Sequence, residues 1–124
     1  MKIRKLASAV ALTLASAPAA YSAVHFYSSV PLIGTEETPP VFSQSFGALT
    51  ATYDDVTNAL VYMFEWRFPD GENATAAHFH GPAARGVSAG PVIDLGPVSG
   101  TSGRSSGTVT LTEGEEAELL AGMW

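Results

Sequence analysis

Cysteine is missing from the chain, which removes thiol nucleophiles, disulfide staples and cysteine-ligated zinc from consideration. The compartment stays open, because oxidising environments permit disulfides without requiring them. Positive charge is nearly as scarce. Beyond Lys5 only Arg67, Arg85 and Arg104 remain, whereas a phosphate backbone or an anionic lipid surface needs clustered lysine and arginine. Nucleic acid is therefore a poor fit as a partner, and an anionic membrane hardly better. A long apolar run is missing as well: the stretch Leu6 to Leu14 falls well short of the ~20 residues of a membrane span, and no second candidate follows.

What stands at the N-terminus is an ordered series. Lys2, Arg4 and Lys5 come first, then Leu6 to Leu14, then the small residues Ala15 to Ala20. Basic, apolar and small segments in that order read as a secretory signal peptide over residues 1–23, with cleavage near Ala19 to Ala23. Losing three basic residues and no acid takes the formal charge from -6 to -9. The expected product is an exported chain, secreted or periplasmic, and a bacterial cell envelope fits. Residues 24–124 then make one small domain with no internal repeat.

Gly, Pro, Ser and Thr interrupt that domain about every ten residues, the rhythm of short strands in a sandwich or barrel. Val24 to Leu32 reads as a first strand with Phe26 on one face and His25 and Tyr27 on the other. Pro39-Pro40 closes the turn that follows, since proline lacks a ladder donor. Val41 to Tyr53 alternates loosely, and Asp54-Asp55 with Thr57-Asn58 predicts a hairpin turn. Ala59 to Phe68 is the strongest strand, dense in β-branched and aromatic residues. Shorter strands are expected at Ala74 to His80, Pro91 to Leu95 and Gly107 to Leu111, with Gly96 to Ser106 as a flexible polar loop.

One helix is expected. Thr112 and Glu115 form a capping box, and Glu113, Glu115 and Glu116 occupy the first turn, where the helix dipole favours anions. Ala117, Leu120, Ala121 and Trp124 recur at helical spacing as a stripe to dock on the sheet, and Gly122 supplies a stop.

Four segments carry a resemblance: GTEETPPV (Gly34 to Val41), ATAAHFHGPA (Ala74 to Ala83), GPVIDLG (Gly90 to Gly96) and GTVTLTEGEEAELLAGMW (Gly107 to Trp124). In that order the chain resembles a CHRD domain, the module named after chordin and widespread in bacterial secreted proteins. The resemblance implies an all-β fold, an Ig-like or Greek-key-like antiparallel β-sandwich or partial barrel with one short C-terminal helix. It also implies two further strands after the tryptophan position, the first carrying another histidine, so that residues 24–124 read as an incomplete, C-terminally truncated copy. Unpaired backbone at a sheet edge would then invite strand exchange with a partner.

Against that background the histidines pose the sharpest question. His78 and His80 alternate in a strand, share a face, and sit ~6.5 to 7 Å apart at Cα, a spacing from which two imidazoles can converge on copper or zinc. A third ligand has to come from His25, Asp94 or an outer carboxylate, since zinc sites use three or four. The pair is locally similar to that of copper/zinc superoxide dismutase, but three histidines cannot supply a dinuclear site. The competing reading has both as half-exposed strand residues bonded to the Gly81-Pro82 turn or to loop carbonyls, and it is the favoured one.

Catalytic motifs fare worse. Gly86-Val87-Ser88-Ala89-Gly90 matches a nucleophile elbow in letters only, because the elbow needs a strand-turn-helix and a later histidine, and none follows His80. Asp54-Asp55 and Glu36-Glu37 fall in turns, where a carboxylate stays solvated. Asn73-Ala74-Thr75 is a sequon of consequence only in a eukaryote. Trp66 and Trp124 suit core or helix-docking roles better than a binding face. The sequence thus points to a secreted, non-enzymatic module with a binding or accessory envelope role and no cofactor, its ligand unknown. Chordin's growth-factor binding does not transfer with the module. The alternatives are a metal protein centred on His78 and His80, and a fragment without independent function.

Overall fold

A computed structural model describes residues 22–124, so the signal-peptide expectation lies almost wholly outside the described residues. In chain order come β1 (Val24–Ile33), a single 3-10 turn (Gly34–Glu36), β2 (Phe46–Asp54), β3 (Ala59–Arg67), β4 (His78–His80), β5 (Pro91–Asp94), β6 (Ser102–Thr110) and α1 (Glu113–Leu120). β1, β2, β3 and β6 form an antiparallel sheet in that order, and β4 and β5 a second, smaller one. The expected all-β sandwich with a short helix near the C-terminus is what the chain adopts, and the sheets do not close into a barrel.

The centre of the large sheet follows from strict alternation in β3. Leu60, Tyr62 and Phe64 are buried while Val61, Met63 and Glu65 are exposed, the period of a half-buried strand. Tyr53 and Ala51 of β2 and Leu111 after β6 complete the buried set. Phe79, Ile93, Leu119 and Trp124 pack against it from the small sheet and the helix. Each large side chain removed from water there contributes about 1.5 to 3 kcal/mol before entropy is counted.

β1 keeps the expected faces only halfway. Tyr27 pairs with Ala51 and Val30 with Leu49, so Ser28 and Ser29 stand opposite Thr50 alone, a β-bulge. Ser29 has φ +53°, a left-handed backbone that the extra residue imposes. Before the bulge His25 and Tyr27 face inward; after it, Val30 and Leu32 do.

β6 corrects the sequence reading. It starts at Ser102, so half of the stretch read as polar loop is strand. The glycines that look like loop residues are seats for aromatic rings. Gly103 lies opposite Trp66 and Gly107 opposite Tyr62; a Cβ on Gly103 would sit 2.5 Å from the indole Cζ2, and one on Gly107 2.7 Å from the phenol Cζ. Rings leaning over cross-strand glycines cover backbone that would otherwise be bare.

β2 starts later than expected, at Phe46, because the Val41 N–H donates to the Gly34 carbonyl at 2.7 Å and closes a loop. β4 is shorter than expected. Ala74 bridges to Gly100, while the Ala77 carbonyl accepts from Leu95 at 3.0 Å, so residues 74–77 run from the loop before β6 to the end of β5 without forming a continuous strand.

The helix begins and ends as its sequence dictates. Thr112 accepts from the Glu115 N–H, and the Glu115 carboxylate accepts from the Thr112 N–H at 2.7 Å, a complete capping box. Gly122, with φ +70°, donates to the Leu119 carbonyl, and Met123 donates to that of Glu118, the Schellman arrangement. The docking stripe, however, is different from the expected one. Ala117, Leu120 and Ala121 are exposed, and Leu119 and Trp124 face the core. Leu111 is buried immediately before the cap, so the entry of the chain fixes the rotation of an eight-residue helix more than its apolar spacing does.

Candidate functional site

The second, third and fourth resembling segments pack together, and the histidine strand is their centre. In β4, Phe79 turns inward onto Tyr62 and Trp124, with ring centroids 5.8 Å away in each case. His78 and His80 share the opposite face as their alternation predicts, ring centroids 5.9 Å apart and nearly perpendicular.

The two histidines have different partners. His78 pairs with Asp94 of β5, Nε2 to Oδ1 at 3.9 Å, while Asp94 Oδ1 also accepts from the Gly96 N–H at 2.8 Å. His80 Nδ1 lies 2.9 Å from the Ala89 carbonyl oxygen. A carbonyl only accepts, so Nδ1 carries the hydrogen and Nε2 is left as the open nitrogen of the neutral ring. His25 sits on β1 of the other sheet, its ring 6.1 Å from that of Tyr53, and is not brought to the pair. Among the described residues no three histidine, aspartate or glutamate side chains gather closely enough to hold a metal ion.

The Gly81-Pro82 turn explains its own composition. A Cβ on Gly81 would sit 2.6 Å from Trp124 Cδ1 and 2.8 Å from the Met123 carbonyl oxygen, so only glycine admits the indole there. The Gly81 N–H donates to the Gly90 carbonyl at 3.1 Å, and Ala83 donates to that of Met123 at 2.9 Å. Trp124 Nε1 donates to Glu118. Arg85, beyond the turn, pairs with Glu36 of the Gly34 loop, which ties in the first segment. The peptide bonds Thr38-Pro39 and Gly81-Pro82 are cis.

The other carboxylate candidates serve turns. Asp54 accepts from the Val56 and Thr57 N–H groups at 2.9 and 3.1 Å, and those bonds hold its carboxyl below the usual aspartate value. Asp55 accepts from Ala23 at 2.8 Å. The Gly86 to Gly90 segment is loop between β4 and β5, without the strand-turn-helix of an elbow. Trp66 leans on Gly103 and donates Nε1 to the Gly100 carbonyl at 3.2 Å.

Sequence reading missed Tyr53. It is fully buried, donates to Asn58 Oδ1 at 3.3 Å, and its phenol is pushed up to about 12, first by burial and then by Glu116. The missed signal for β6 was numerical: Tyr62 and Trp66 are four apart, as are Gly103 and Gly107, the match antiparallel register requires.

Comparison with known proteins agrees with this assembly. No curated protein and no solved structure matches the chain. No membrane-crossing helix occurs among the described residues. The profile of the CHRD domain matches residues 28–124, spanning the Gly34 loop, both strands of the small sheet and the helix with its tryptophan. The chain, a β-sandwich module of a kind found in secreted proteins, belongs to the CHRD domain family.

Proposed function

We propose that this domain is an exported, non-enzymatic binding module, an accessory of the cell envelope. The observation that carries the reading is the use to which the motif residues are put. Gly81 seats the Trp124 indole, His80 bonds the Ala89 carbonyl and Glu36 pairs with Arg85, so the motif residues serve as a clasp within the domain and recognition is left to exposed surface. The test is saturable co-sedimentation of the purified chain with envelope fractions of its host. Retention that does not saturate, or a chain that stays in the cytoplasm when expressed there, overturns it.

One observation favours a second reading. The Ala89 carbonyl fixes the His80 tautomer, as outer partners of metal-bound histidines do, and leaves Nε2 open beside His78. Copper or zinc would then take both imidazoles and complete its shell with Asp94 or water. Calorimetric titration of the chain with each metal decides the matter: binding no tighter than that of the His78→Ala, His80→Ala double variant sinks it.

A further inference from the structure

The face of the large sheet turned away from the core presents a charge pattern unlike the rest of the molecule. Register places Phe26, Thr52, Val61 and Thr108 in one row across all four strands, and Thr50, Met63 and Ser106 in the next. Val24, Asp54, Ala59 and Thr110 form the row at one end, and Ile33, Phe46, Arg67 and Ser102 the row at the other. Its large apolar side chains stand open: Phe26 is 74% exposed, Phe46 51% and Val61 48%.

Residues 22–124 hold all twelve acids of the chain and three arginines. This face carries Asp54 and Glu65 with Arg67 and Arg104, the latter pairing with Glu65 at 3.1 Å, and is formally neutral. The remaining ten acids have Arg85 alone for company. Stacking two copies by this face brings no net like charge together, whereas the rest of the domain carries the whole of its negative excess.

We infer that two copies of this chain associate by stacking these outer sheet faces about a two-fold axis. The ends of the face specify the orientation. Asp54 lies in the row at one end and Arg67 in the row at the other, so an antiparallel, isologous stack sets Asp54 of each copy toward Arg67 of its partner. The size fits a weak dimer. β2 is nine residues long, and ~30 Å of strand by ~19 Å across four strands gives ~570 Å² per copy and ~1,100 Å² for the pair. That stands just above the ~1,000 Å² at which specific interfaces begin, so a weak, reversible dimer is expected.

Sedimentation equilibrium of the purified chain, from micromolar to several hundred micromolar, tests it. The expected result is a reversible monomer–dimer equilibrium that Val61→Glu weakens at least tenfold while circular dichroism stays that of the parent. Met63→Lys reads the same contact should Val61→Glu fail to fold. A chain that stays monomeric throughout, or a dimer indifferent to whichever variant folds, overturns the proposal. So does slowing of amide exchange on dimerisation confined to the edges of β1 or β6, the mark of strand pairing instead of face stacking.

Discussion

The indole of Trp124 lies on the backbone of Gly81, so close that a methyl group at that glycine would stand 2.6 Å from Cδ1. The contact joins the loop after β4 to the chain just past the helix. It makes the small sheet, the turn and the helix one packed unit, because Trp124 also stacks on Phe79.

Gly81→Ala is expected to destabilise the domain by about 1 to 3 kcal/mol, the range for forcing extra volume into a filled site. Gly90→Ala is the matched control, since a Cβ there meets nothing within 4 Å. Urea unfolding followed by tryptophan fluorescence measures both. Equal midpoints for the two variants would remove the steric argument.

Gly103→Ala and Gly107→Ala test the seats under Trp66 and Tyr62. Each is expected to lower stability by about 1 to 3 kcal/mol, with near-ultraviolet circular dichroism changing as the ring is displaced. An unchanged aromatic spectrum would contradict the ring-over-glycine arrangement.

The buried phenol of Tyr53 predicts an alkaline weakness. Its folded value, about 12, lies above the ordinary 10.0 of an unfolded chain, so its stabilising contribution is complete below pH 10 and fades as pH rises to about 12. Thermal midpoints measured across that window should fall for the parent chain. Tyr53→Phe removes the titrating group and should show a shallower fall, after an initial loss of about 0.5 to 1.5 kcal/mol from the bond to Asn58. Parallel curves for the two proteins would refute the assignment.

Thr112→Ala should cost about 1 kcal/mol, because the Thr112 hydroxyl is the acceptor for the Glu115 N–H and also donates to the Glu115 carboxylate. Hydrogen exchange at the Glu115 amide is the local readout, and protection equal to that of the parent would show the cap to be idle.

How much of this was legible beforehand depended on where each signal was local. The capping box, the Asp54 turn and β3 were readable, since Thr112 and Glu115 are three residues apart and the alternation of Leu60 to Phe64 needs no distant partner. β6 was not. Its Ser-Gly composition has loop character until Trp66 and Tyr62 are laid over Gly103 and Gly107, a fact of register and not of propensity. The helix face was misjudged for a related reason, as Leu111 settles its rotation from outside the helix. The histidine motif was readable as a paired face, while the Ala89 carbonyl that engages His80 came from a loop with no signature. Tyr53 had no sequence mark at all, because one tyrosine among strand residues announces neither full burial nor the approach of Glu116.

The bulge at Ser28 and Ser29 gives β1 two reading frames. Deleting Ser29 would restore simple alternation and leave Val30 and Leu32 facing inward, whereas a straight strand that kept both serines would turn Pro31 and Ile33 toward the core and carry Val30 and Leu32 to the outer face. Homologues that keep the fold are accordingly expected with either one residue or two between the positions of Tyr27 and Val30.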